Sequence, residues 1–217
     1  MVVVFRALSG TQTEIAEIKD ILSVNHWQAL DYTDESATEK ALKSVIYPRL
    51  LHIATHGYFV DEQETSATFK VGSATEYARQ NPLLRSGLLL TGASNFIQND
   101  FRIDDENGIL TAYEAANLNL DNTDLVILSA CETGKGEVQN GEGVYGLQRA
   151  FQTAGAKSII MSLWKVDDKA TQELMTNFYT NWTAGNSKSE AFKRAQLSLK
   201  EKYPNPYYWG AFVMMGE

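Results

Sequence analysis

The chain has 217 residues, 44% of them hydrophobic, which is enough for one substantial core and fits a single domain of the α/β class. Its formal charge of -8 gives no electrostatic footprint for nucleic acid, whose phosphates the whole-molecule field would repel, so no direct nucleic-acid partner is expected. A single cysteine excludes an internal disulfide framework and a cysteine-rich zinc site, and it suits a reducing, cytoplasmic setting.

The N-terminal "MVVVF" begins an apolar, strand-like run over 2–8, and its apolarity suggests a fragment cut from a longer protein. It shows no basic region followed by a secretory core, so no secretory signal is expected there. Thr11 with Glu14 has the spacing of a capping box, followed by Ile15, Ile18, Ile21 and Leu22 at helical intervals. Ser36 with Glu39 predicts a second helix, carrying Ala41, Leu42, Val45 and Ile46. "LLHIAT" (50–55) is apolar nearly throughout, as for a strand covered on both faces, and His56 follows it. A long irregular stretch, 57–87, separates it from the next strand-like run, 87–92; loops of that length in a compact domain are usually functional or disordered.

Thr111 with Glu114 forms a third box, and "LVILSA" (125–130) is a further apolar run leading into Cys131. The polar "ETGKGEVQN" then precedes "GEGVYG" (141–146), which reads as the opening of a helix bearing Val144, Leu147, Phe151 and Ala154. "SIIMSLW" (158–164) reads as a strand, Asp167 and Asp168 start a helix with Leu174, Met175, Phe178 and Trp182, and Ser187 with Glu190 caps another. "YWGAFVMM" (208–215) closes the series as a strand. Strands alternating with helices predict a mostly parallel central sheet flanked by helices, because parallel crossovers must return over the sheet face. No apolar run reaches the roughly 20 residues that span a bilayer, so no membrane partner is expected.

In such sheets ligands bind beyond the carboxyl ends of the strands. His56 and Cys131 each follow a strand there, so neighbouring placement of those strands would join imidazole and thiol as a base and nucleophile. A lone cysteine is commonly a buried small hydrophobe, but loop-forming residues follow Cys131. His52, in the middle of an apolar run, reads as a core histidine, and His26 as a surface one. His52 and His56 are four apart on a strand pattern with no glutamate between them, so the helical zinc-protease arrangement is missing and no metal is expected. "GEGVYG" matches a dinucleotide pattern, but about ten polar residues separate it from the strand, whereas the fold places the glycines directly after it. A P-loop fails too, with Ser129 where a glycine is required and Gly136 where Ser or Thr would hold magnesium. No cofactor is expected.

"LHIATHGYF", "VILSACETGKG", "GEGVYGLQRAFQTAGAKSIIMSLWKVDDKAT" and "NPYYWGAFVMMG" resemble, in this order, the signature blocks of the CHAT domain. This is a caspase-like cysteine peptidase domain related to separase, often carried behind tetratricopeptide repeats in bacterial proteins. The resemblance implies one CHAT domain over 1–217, a caspase-like three-layer α/β sandwich with a mostly parallel sheet, and a cysteine endopeptidase acting on a protein or peptide substrate. It makes Cys131 the nucleophile, His56 the base and acid, and the backbone amides of Gly57 and Cys131 the oxyanion hole. An acidic residue in separase-like relatives binds a basic residue before the cleaved bond; here Asp167, Asp168 or Glu142 would take that role, although Asp also reads as a helix cap. An N-terminal repeat region or activating partner would control activity. The alternative is a catalytically silent scaffold or protein-interaction module. One departure stands out: Asn205 occupies a position where the last block commonly has histidine. Tyr207, Tyr208 and Trp209 read as packing residues.

Overall fold

The computed structural model describes residues 1–6, 12–59, 81–93, 107–129, 137–139 and 143–216. The described elements run β1 (Val2–Arg6), α1 (Gln12–Val24), β2 (Ala29–Thr33), α2 (Glu39–Lys43), β3 (Leu50–Ala54), β4 (His56–Phe59), β5 (Ser86–Leu89), β6 (Ile109–Thr111), α3 (Ala112–Ala115) and β7 (Leu125–Leu128). They continue with β8 (Glu137–Gln139), β9 (Gly143–Tyr145), α4 (Leu147–Thr153), β10 (Ser158–Ser162), α5 (Asp168–Thr183), α6 (Lys188–Lys202), α7 (Pro206–Trp209) and β11 (Phe212–Gly216).

Among the described residues six strands form one sheet in the order β11-β10-β7-β3-β1-β2, parallel except for the antiparallel edge strand β11. The period-2 alternation of a strand divides its side chains between two cores. Leu51, Ile53, Val126, Leu128, Ile159 and Met161 pack with residues of α2, α3 and α4. Leu50, Ala54, Leu125, Ile127 and Ile160 face α1, α5 and α6, whose Ile18, Leu22, Phe178 and Ala195 are buried against them. β3, β7 and β10 are therefore buried along their whole lengths, which is why their sequences are apolar without alternation.

Four local readings change. The run 87–92 does not join the main sheet: β5 pairs with β4 and β6 in a separate antiparallel three-stranded sheet. β2, "ALDYT", does join it, as an edge strand too polar to be read from apolarity. "GEGVYG" does not open a helix directly; β9 pairs with β8 in a ribbon, and α4 starts only after Gly146. Ser36 does not cap α2, since Thr38 accepts the Ala41 amide, while Ser36 bonds back to Thr33. The box at Thr111 and the cap at Ser187 form as read.

At the amino edge of the sheet Arg49, Asp124 and Lys157 immediately precede β3, β7 and β10. The central Asp124 carboxylate receives Arg49 at 3.2 Å and Lys157 at 2.8 Å. Burial alone would push the Asp124 carboxyl up, but hydrogen bonds and charge from Lys157 and Arg49 outweigh it and hold the group below its ordinary value. A carboxyl held low contributes stability above its unfolded value and loses it as pH falls through the folded one. Asp124→Asn should therefore melt below wild type at neutral pH by a constant margin, and the margin should close below about pH 4, as a melting series across pH would show.

Candidate active site

The main sheet and the small sheet meet at Thr55. This residue is buried, and its hydroxyl donates to the Leu89 carbonyl, so the chain leaves β3 and enters β4 under a fixed angle. His56 is the first residue of β4, opposite Leu89, and is exposed; Gly57 is half-buried opposite Leu88. The imidazole thus stands at the carboxyl end of β3 while its backbone belongs to a different sheet.

Behind it, Tyr58 lies across Gly87: a Cβ there would fall 2.7 Å from the Tyr58 ring and 2.6 Å from the Leu110 carbonyl oxygen. Burial, with the Glu114 charge adding to it, pushes the Tyr58 phenol far above its ordinary range. Lys43 bridges Glu39 and Glu114, Glu39 accepts the Gly108 amide, and Glu114 accepts the Thr111 amide and hydroxyl. Burial raises the Glu39 carboxyl despite Lys43, whereas at Glu114 the opposing bonds from Lys43 and Thr111 win and lower it. This cluster ties the small sheet to α2 and α3.

β3 and β7 are parallel neighbours with Ile53 beside Leu128, and the Ser129 amide extends the ladder by donating to the Ile53 carbonyl at 2.9 Å. Cys131 and Glu142 lie outside the described residues. β10 borders β7 on its other side, so the segment after it, with Asp167 and Asp168, issues from the same carboxyl edge. Asp167 is the N-cap of α5, its side chain accepting the Ala170 amide at 2.9 Å; Asp168 is exposed in the first turn. His56, Gly57 and the aspartate pair therefore follow β3 and β10, the two strands that flank the one leading to Cys131.

His52 is fully buried, as read, but it is not isolated. Its Nδ1 is 2.9 Å from the Tyr179 hydroxyl and its Nε2 is 3.2 Å from Glu14 Oε1. Glu14 Oε1 also accepts the Ser129 hydroxyl at 3.0 Å. Sequence reasoning assigned Glu14 only to a cap; the available signal was its place on the apolar stripe with Ile18 and Leu22, at four-residue spacing. Asn205 caps α7 by accepting the Tyr207 amide. Tyr208 and Trp209 pack on the α1, α5 and α6 side of the core, while Tyr207 is exposed. His26 is exposed in a turn. Among the described residues no group of three His, Cys, Asp or Glu side chains converges to hold a metal, and no helix is long and apolar enough to cross a membrane.

A family profile for the CHAT domain matches residues 1–217. The chain belongs to the CHAT domain family. Tetratricopeptide repeat protein 28 of Mus musculus is 32% identical over 112 residues, and its Homo sapiens counterpart is 30% identical over 110. Each alignment covers 50% of this chain and 4% of that protein, so the chain spans a small part of the length of these relatives. Among solved structures, the Arg-specific cysteine proteinase gingipain R superposes over all of this chain and 45% of its own, with a TM-score of 0.61 at 11% identity. A complex of the pro- and mature domains of the Porphyromonas gingivalis enzyme gives the same TM-score and identity over 46% of that chain. The CHAT chain accordingly has a caspase-like fold, a mostly parallel sheet between helical layers.

Proposed function

We propose that this CHAT domain is a cysteine endopeptidase in which Cys131 is the nucleophile and His56 the general base. The carrying observation is that β3 and β7, which lead into His56 and Cys131, are parallel neighbours in a caspase-like sheet. His56 takes the thiol proton, and the thiolate adds to a peptide carbonyl carbon. The tetrahedral intermediate collapses as His56 returns that proton to the leaving amine, giving a thioester. Water, losing a proton to His56, then attacks the thioester, and the thiolate leaves with the carboxylic acid product. Backbone amides of Gly57 and Cys131 are assigned to the oxyanion, a contact whose loss typically costs about 100-fold or more. Gly57 suits the role because it lacks a Cβ that would keep substrate from the backbone.

Because Asp167 is occupied as a cap, Asp168 is the better candidate to meet a basic residue before the cleaved bond, with Glu142 as the alternative. Asp168→Ala should reduce turnover of peptides with Arg or Lys at that position relative to neutral peptides, whereas Asp167→Ala should mainly cost about 1 kcal/mol of stability. Peptide profiling and thermal melts separate the two. The protein is read as one regulated domain of a longer, cytoplasmic protein whose N-terminal region includes repeats. The similarity to a protein named for tetratricopeptide repeats supports the repeat region.

The deciding experiment is labelling of the full-length protein, with its activating partner, by a thiol-directed peptide electrophile. The expected product is an adduct at Cys131 that His56→Ala prevents. Absence of the adduct under every activating condition would leave the scaffold reading in place.

A further inference from the structure

We propose that Glu14 is a positioning residue: by holding the Ser129 hydroxyl at the end of β7 and facing His52 of β3, it sets the separation of the two strand ends that carry Cys131 and His56. This inference rests on the peptidase reading above.

Glu14 is 3% exposed, Ser129 5% and His52 0%, so the group lies in the core on the α1 and α5 side of the sheet. Burying these polar side chains is costly, and apolar residues of similar volume would often serve stability as well or better. What the polar set supplies instead is a directional tie, and it falls where one is needed. Among the described residues the last backbone rung between these strands is Ser129 N–H to the Ile53 carbonyl. Beyond it β3 turns away at Thr55 into the small sheet, and the ladder of the described residues ends two residues before Cys131 and three before His56 in sequence. Glu14 Oε1 takes over at that point, accepting Ser129 Oγ–H at 3.0 Å while lying 3.2 Å from His52 Nε2. The latter contact is oblique and electrostatic, without hydrogen-bond alignment.

The 2.9 Å contact joins His52 Nδ1 to the Tyr179 hydroxyl, and a ring proton on Nε2, beside the Glu14 oxygen, would leave Nδ1 to accept from that hydroxyl. Tyr179 can donate because burial, reinforced by the Glu14 charge, pushes its phenol well above the ordinary range. Tyr179 further stacks on the His52 ring with centroids 5.9 Å apart. The chain Tyr179, His52, Glu14, Ser129 therefore crosses from α5 through β3 and α1 to β7, and joins the elements that bracket both reactive residues.

The test uses the full-length protein and follows Cys131 alone by mass spectrometry. Two rates are measured: labelling by the peptide electrophile, and alkylation by iodoacetamide as a function of pH. Ser129→Ala and Glu14→Gln should slow peptide labelling about 10- to 100-fold per folded molecule, as expected for a displaced reacting group. The pH midpoint of alkylation should move toward that of an ordinary thiol, near about 8.5, because a misaligned imidazole no longer favours thiolate. Ser129→Thr, which keeps the hydroxyl, should restore both. Leu22→Ala, on the same helix but outside the network, should lower stability and leave both rates per folded molecule unchanged. Wild-type rates and midpoint in folded Ser129→Ala would overturn the positioning role while leaving the peptidase reading intact. A wild type that iodoacetamide alkylates but the peptide electrophile does not would overturn the peptidase reading, and the positioning role with it.

Discussion

Cys131→Ala is expected to abolish peptide turnover, a fall of at least about 10⁴-fold, with the fold and substrate binding retained. The thiolate forms the only covalent bond to the substrate in the proposed reaction, and alanine has nothing to offer in its place. His56→Ala should fall by a comparable factor, because the same imidazole serves every proton transfer; combining the two should cost little more than either alone. That non-additivity is the sharper test, since two residues acting independently would multiply. His56 is exposed at the start of β4, so its replacement creates no cavity, and melting temperatures near wild type should accompany the lost turnover. Full activity in either variant, measured on the full-length protein, would remove the dyad.

Gly87→Ala is expected to have the largest effect among residues that touch no substrate. Its Cβ would meet the Leu110 carbonyl oxygen at 2.6 Å and the Tyr58 ring and hydroxyl at 2.7 and 2.8 Å. The first contact is backbone of the paired strand β6, so no rotamer change relieves it, and the second is a half-buried ring on the other paired strand, β4. Overpacking of this kind costs about 1–3 kcal/mol. The displaced element is β4, which begins with His56 and Gly57, so a shift of about 1 Å would also cost on the order of 100-fold in rate. Urea unfolding and turnover should therefore fall together. Wild-type stability in Gly87→Ala would show that the small sheet is not packed as described.

The architecture was legible where burial imposes a pattern. β3, β7 and β10 are covered on both faces, so they are apolar nearly throughout without alternation, and "LLHIAT", "LVILSA" and "SIIMSLW" announce them directly. β2 was not legible because an edge strand needs no such covering: Leu30 is 48% exposed and Asp31 pairs with Lys19 across the edge. "GLLLTG" reads as a strand, but its membership of the small sheet was not legible for a related reason. Leu88 and Leu90 are as buried as any core leucine, and burial does not reveal which strand is the hydrogen-bonding neighbour.

By itself the sequence determined the family, the fully buried strands with most of their intervening helices, and the residues on which the proposed chemistry turns, because each depends on local pattern and on runs of specific residues. Tertiary structure decided the roles that depend on company. It placed β3 beside β7, made Asp167 the cap and left Asp168 exposed, and put His56 on a second sheet held by Tyr58 and Gly87. It also carried Glu14 inward to Ser129 and His52, 115 residues away in the first case. A carboxyl at a helix start has the same local signature whether it caps a backbone amide or reaches into the core, and only packing of α1 against the sheet separates those outcomes.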